Sequence, residues 1–140
     1  LIEEFVLDRL AEPVVTNLIG ARSYALLPQF DPLKTNYPAV VFRLSDRERE
    51  YDHSGHSDIA LSRFEIICVG QKYLDAVTVA DAVRRAFNGS EGSYGGPPAL
   101  QVGAVAIEGE EDLPYSPEEF RDLSLFARGL ALRIEHTEEI

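Results

Sequence analysis

Residues 37–70 read YPAVVFRLSDREREYDHSGHSDIALSRFEIICVG, two apolar runs on either side of a densely charged middle. In the first run Val40, Phe42 and Leu44 share one parity, while Val41, Arg43 and Ser45 share the other. That two-residue period is the signature of a β-strand. The second run, 59–69, also reads as a strand, but its parity changes. Ile59 and Leu61 fall on one side, whereas Phe64, Ile66 and Cys68 fall on the other, which predicts a bulge near Ser62 or Arg63. FEIICVG is apolar on both faces except for Glu65, the pattern of a central strand covered by a helix. The two runs are therefore the arms of a hairpin, and SDREREYDHSGHSD (45–58) is its polar connection.

Downstream, the spacing predicts a helix over 73–88, with Tyr73, Val77, Ala80, Val83 and Phe87 on one stripe. Ala76, Ala80 and Ala82 would let it lie close on a sheet, Arg84 and Arg85 suit its negative pole, and Asn88-Gly89 ends it. Upstream, residues 1–19 read as helix through Ile2, Phe5, Val6 and Leu10, interrupted and restarted at Pro13. ARSYALLPQF (21–30) predicts a short strand stopped by Pro28, and DPLKTNYP a loop. GSEGSYGGPP (89–98) reads as a flexible loop, and LQVGAVAIEGEEDL (100–113) as a strand running into an acidic turn. SPEEF (116–120) carries a capping pattern for a single helical turn. LSLFARGLALRIEH (123–136) is a last strand, with Leu130, Leu132 and Ile134 on one side. The order α-β-β-β-α-β-β predicts one α+β domain over residues 1–140, a mostly antiparallel sheet with helices packed on a face.

With 140 residues and 45% apolar content, the chain is long enough for a hydrophobic core. No apolar run approaches the ~18 residues of a membrane span, so no membrane partner is expected. LIEEFVLDRL at the start is acidic and amphipathic, without the layout of a signal peptide. A net charge of −11 argues against a surface built to grip nucleic acid. It suits a protein that lies near DNA without holding it. Cys68, the single cysteine, sits in FEIICVG and reads as a small buried hydrophobe.

The residues that could carry chemistry are few. Asp52, His53, His56 and Asp58 offer histidine and carboxylate donors of the kind that hold zinc. A structural zinc needs four ligands, however, and no Cys-x-x-Cys or distant histidine pair completes the set; His136 lies beside the C-terminal tail. Ser54, Ser57 and Ser62 stand near histidines without a G-x-S-x-G elbow. The glycine-rich run lacks the Lys-Ser/Thr ending of a phosphate loop. The acidic clusters at 108–112 and 118–119 read as solvated faces. Composition and spacing thus reach a soluble, acidic α+β domain without an evident active site, and neither a cofactor nor a metal is expected.

Four blocks together resemble the tail-terminator (tail-completion) proteins of long-tailed phages and gene transfer agents. They are LIEEFVLDRLAEPVVTNLIGARSYALLPQ, YPAVVFRLSDREREYDH, ALSRFEIICVGQKYLDAVTVADAVRRAFNG and VAIEGEEDLPYSPEEFRDLSLFARGLALRIEH. The resemblance implies a structural virion protein, assembled in the host cytoplasm. It would form a homohexameric ring at the head-proximal end of the tail tube, where it ends tube polymerisation and offers the head–tail joining surface. Its partners would be other copies of itself, the major tail-tube protein and a head–tail connector, with DNA passing through the lumen. On that reading the 45–58 connection is a contact loop, and Asp46, Arg47, Glu48, Arg49, Glu50, Tyr51, Asp52, His53 and His56 are its contact residues. Their alternating charges would pair across subunits, with Tyr51 as a buried anchor. The edges of the first and last strands are further candidate contacts. The alternatives are another neck or adaptor component, or a metal-dependent hydrolase using Asp52, His53, His56 and Asp58.

Overall fold

The computed structural model describes residues 2–19, 23–25, 38–52, 55–70, 72–94, 100–112 and 126–137. Helix α1 (Ile2–Leu10) is followed by α2 (Pro13–Ile19), which opens on its proline as the sequence predicts. Proline is tolerated there because its missing N–H has no intrahelical partner in the first turn. Strands β1 (Ser23–Ala25), β2 (Ala39–Asp52) and β3 (Gly55–Gly70) lead into α3 (Tyr73–Phe87). Strands β4 (Gly92–Tyr94), β5 (Leu100–Asp112) and β6 (Phe126–Thr137) complete the chain. The predicted turn at 116–120 and the loop at 31–37 lie outside the described residues.

All six strands form one sheet in the order β1-β2-β3-β6-β5-β4. Only β1 and β2 run parallel; every other neighbouring pair is antiparallel. The α+β class and the element order match the sequence reading, with three differences. Residues 92–94, expected within a loop, pair with β5 as a short strand. The acidic stretch to Asp112, expected as a turn, continues as β5 against β6. The last strand, expected at an edge, lies in the centre between β3 and β5, so the edge strands are β1 and β4.

One face of the sheet packs against the helices. Ile2, Phe5, Val6 and Leu10 of α1 and Val15 and Ile19 of α2 join Val79, Val83 and Phe87 of α3 over this face. The sheet contributes Val40, Phe42, Phe64, Ile66, Cys68, Leu130, Leu132 and Ile134. Phe5 and Phe87 meet edge to face with centroids 6.1 Å apart, a favourable aromatic arrangement. Ala76, Ala80, Ala82 and Ala86 are buried, so α3 does lie close on the strands. Its buried stripe runs through Ala76, Val79, Ala80, Val83 and Phe87; Tyr73, expected on it, is exposed. Gly89 ends the helix with φ +70°, a backbone conformation that favours glycine.

The expected bulge is present, but on the other strand. β3 pairs with β6 without interruption from Ile59 to Gly70. The extra residue is Ser45 of β2: Leu44 faces Phe64 and Asp46 faces Arg63. Ser45 Oγ donates to the Arg63 carbonyl at 3.0 Å and holds the bulge. Along β3 the helix-facing parity is Ala60, Ser62, Phe64, Ile66 and Cys68, all buried. Ile59 and Leu61 belong to the opposite face, which is why their parity misled.

Candidate assembly surface

The charged stretch 45–58 is not a loose loop. β2 and β3 stay paired through Arg49↔Ala60, Tyr51↔His56 and Asp52↔Gly55, with a second irregularity between Arg49 and Tyr51. At about 3.4 Å per residue, the 16 residues of β3 span roughly 50 Å, so the hairpin is a long paired arm.

The Ser45 bulge decides where the arm's charges go. Asp46 and Glu48 lie across from Arg63 and Leu61 on the face away from the helices. There Arg63 Nη1 donates to Asp46 at 2.9 Å and to Glu48 at 3.3 Å. Arg47 lies across from Ser62 on the helix side. It donates to Ser62 Oγ at 3.2 Å and, through Nη2, to Glu3 of α1 at 2.9 Å. Three of the expected contact residues are therefore engaged within the chain, and Arg47 ties the arm to the first helix. Arg49, Glu50, Tyr51, Asp52 and His56 have their backbone in the hairpin, but their side chains lie outside the described part, as does His53 entirely. The candidate metal set of Asp52, His53, His56 and Asp58, named only for the hydrolase alternative, lies outside the described side chains; among the described residues no cluster of three or more His, Cys, Asp or Glu side chains is placed to hold a metal.

His136 falls within the last strand, as the sequence reading of 123–136 has it. It lies on β6 opposite Ala60 and is 4% exposed. Its Nδ1 is 2.7 Å from the Thr137 carbonyl, and its Nε2 is 2.7 Å from Ser62 Oγ. A carbonyl only accepts, so Nδ1 carries the proton in the neutral ring and Nε2 accepts from the Ser62 hydroxyl. Ser62 Oγ in turn accepts from Arg47 Nε. The result is a directed chain from Arg47 through Ser62 to His136, with Ser62 fully buried. Burial and this donor order make it a structural network: Ser62 gives its proton to the ring but has no access to a substrate. The alternation through Leu130, Leu132 and Ile134 extends to residue 136 and was the available signal.

A second polar cluster joins α3 to the sheet. Tyr73 Oη donates to Asp112 Oδ2 at 2.7 Å, and Arg128 Nε donates to Asp112 Oδ1 at 2.9 Å. Arg128 Nη2 also reaches Tyr73 Oη at 3.1 Å. Hydrogen bonds from Arg128 and then Tyr73 hold the Asp112 carboxyl below its ordinary range. The bond to Asp112 raises Tyr73. Phe126 stacks edge to face on Tyr73 at 6.2 Å. Cys68 is fully buried, and that burial pushes its thiol up to about 12, which removes it as a nucleophile.

Beside β5 the helix layer leaves a groove of ≈ 530 Å³ lined by Phe87, Val105 and Ile107, with Asp81, Arg84 and Arg85 around it. β4 borders β5 only at Leu100–Val102, and among the described residues no strand borders that side of β5 beyond this point, the other side being paired with β6.

The architecture is thus an α+β sheet whose β2–β3 hairpin extends past β6 at its tip, with polar networks that brace the fold and, among the described residues, no strand on the outer side of β5 beyond β4. No family model matches the chain, and no curated protein matches it. Among solved structures, a chain in the virion of a native gene transfer agent (GTA) particle is similar, with a TM-score of 0.69 and 18% identity. The likeness covers 94% of this chain and 91% of that one, and at this identity it speaks for the fold.

Proposed function

We propose that the chain is a structural virion protein of a tailed phage or gene transfer agent, a single domain acting as the tail terminator. It assembles as a homohexameric ring on the head-proximal end of the tail tube, stops tube growth and presents the surface that joins the head. The observation that carries this reading is the shared fold over nearly the whole of both chains, with a TM-score of 0.69 to a chain of a gene transfer agent virion. The long paired arm supports it, because an arm held rigid by strand pairing offers a neighbour a preformed contact. The net charge of −11 suits a lumen through which DNA passes without sticking. Partners on this reading are other copies of the chain, the tail-tube protein and a head–tail connector.

Native mass spectrometry of the protein, alone and mixed with its tail-tube protein, tests the reading. A hexamer, formed free or on the tube, is the expected species. A monomer that ignores the tube protein at every concentration overturns it.

A further inference from the structure

We infer that the open edge of β5 is the joint between copies, and that it receives the outer edge of β2 from the next copy in an antiparallel pairing. The inference rests on the ring reading above and assigns its contact surfaces.

The edge itself is the first observation. Beyond β4, residues Gly103–Ile107 read GAVAI, an uncharged, proline-free run. An apolar strand edge is a template for pairing, and proteins that stay single usually blunt it with charge, proline or a cover. The groove of ≈ 530 Å³ between α3 and β5 adjoins this edge and has Phe87, Val105 and Ile107 for its apolar lining. A strand laid on β5 would gain main-chain hydrogen bonds from the edge and side-chain pockets from the groove, the two components of recognition by strand addition.

Topology selects the occupant. Along the order β2-β3-β6-β5 every pairing is antiparallel, so β2 and β5 run in opposite directions. Copies placed side by side in the same orientation therefore bring β5 of one against β2 of the next as an antiparallel pair. β1 flanks β2 only at Val40–Phe42, and β4 flanks β5 only at Leu100–Val102. In the antiparallel alignment these short strands fall at opposite ends of the joint, and neither blocks the other. Among the described residues no strand lies on the outer edge of 43–52 or of 103–112, stretches of equal length.

Charge favours the same alignment. The start of the β2 stretch brings Arg43, which also binds Glu65 in its own chain, level with Glu111 on the same face of the sheet. The other end brings Tyr51 to the level of the apolar run and its groove. The two surfaces differ, so the contact is heterologous, and such contacts close into rings when the rotation fits.

The test is cross-linking between singly substituted proteins. Arg49→Cys and Val105→Cys, at positions on the same face of the sheet, are prepared separately, mixed, and treated with a short bismaleimide; Arg43→Cys with Glu111→Cys is a second pair at the other end of the joint. Buried Cys68 stays silent. A covalent dimer only in the mixtures is expected, with native mass spectrometry run in parallel. A hexamer without mixed product, or product from either protein alone, overturns this joint and leaves the ring reading standing. A monomer without product overturns both.

Discussion

Ser62 on β3 and His136 on β6 lie 74 positions apart in the chain and share a 2.7 Å hydrogen bond inside the core. The same hydroxyl accepts from Arg47, whose guanidinium also binds Glu3, so a single oxygen links the central strands to the hairpin arm and the first helix. Removing that hydroxyl takes a hydrogen-bond donor from the buried His136 ring and an acceptor from Arg47. Ser62→Ala is expected to lower stability by about 1–3 kcal/mol, the usual cost of an unsatisfied buried polar group. Urea unfolding followed by circular dichroism reads this directly; an unchanged midpoint would show that the chain of bonds does not brace the fold.

Gly70 closes β3 just before α3. A Cβ there would lie 2.8 Å from the Cβ of Asp75 and 3.0 Å from the backbone nitrogen of Ala76. Neither neighbour is a flexible side-chain end, so Gly70→Ala must shift the start of α3. A loss of roughly 1–3 kcal/mol is expected from such overpacking, with a matching drop in thermal midpoint. Gly103→Ala, whose Cβ would meet the Glu135 carbonyl oxygen at an ordinary 3.7 Å, is the control and should cost less.

The Tyr73–Asp112–Arg128 cluster makes a pH prediction whose sign follows from its shifts. Bonds from Arg128 and Tyr73 depress the Asp112 carboxyl when folded. The stabilisation it gives is present above the unfolded carboxylate value of about 4 and is lost as pH falls through the lower folded value. Asp112→Asn should therefore destabilise near neutral pH and converge with the parent protein in acid. Denaturant melts of both proteins at pH 7 and near pH 2 check this; a difference that persists undiminished in acid would assign the effect to packing instead.

Cys68 should be inert in the folded protein. Its burial and its thiol value of about 12 leave almost no thiolate at neutral pH. Labelling with a thiol reagent is expected only after unfolding, so the labelling rate should follow the denaturant midpoint. Rapid native labelling would mean that β3 opens locally.

Much of this architecture is legible in the sequence, and the exceptions have physical causes. The amphipathic spacing of Ile2, Phe5, Val6 and Leu10, the restart at Pro13 and the alternation of Val40 and Phe42 all specify local structure, and each appears as expected. Lateral strand order is not local: nothing in LALRIEH says that β6 inserts between β3 and β5. The bulge was sensed but assigned to the wrong strand. Small Ala60 and Ser62 occupy the helix-facing side while larger Ile59 and Leu61 face away, so side-chain size pointed the wrong way. Arg47 and His136 escaped notice because their partners, Glu3 and Ser62, are distant in sequence. For the arm, charge density predicted position and not pairing. Asp46, Arg47 and Glu48 turn their charges to partners in their own chain.

The bulge at Ser45 sets the phase of everything beyond it. A strand has two faces, and one inserted residue exchanges them. Were Ser45 to pair opposite Arg63 as an ordinary strand residue, Asp46 would take the core side opposite Ser62 and Arg47 would turn away from Glu3, without altering a single residue of the arm. Point substitutions along the arm can change its chemistry one position at a time. Only loss of the bulge, with Ser45 taken into the ladder, can rotate the whole charge pattern at once, which makes the irregularity between Leu44 and Asp46 as much a part of the arm's address as the residues themselves.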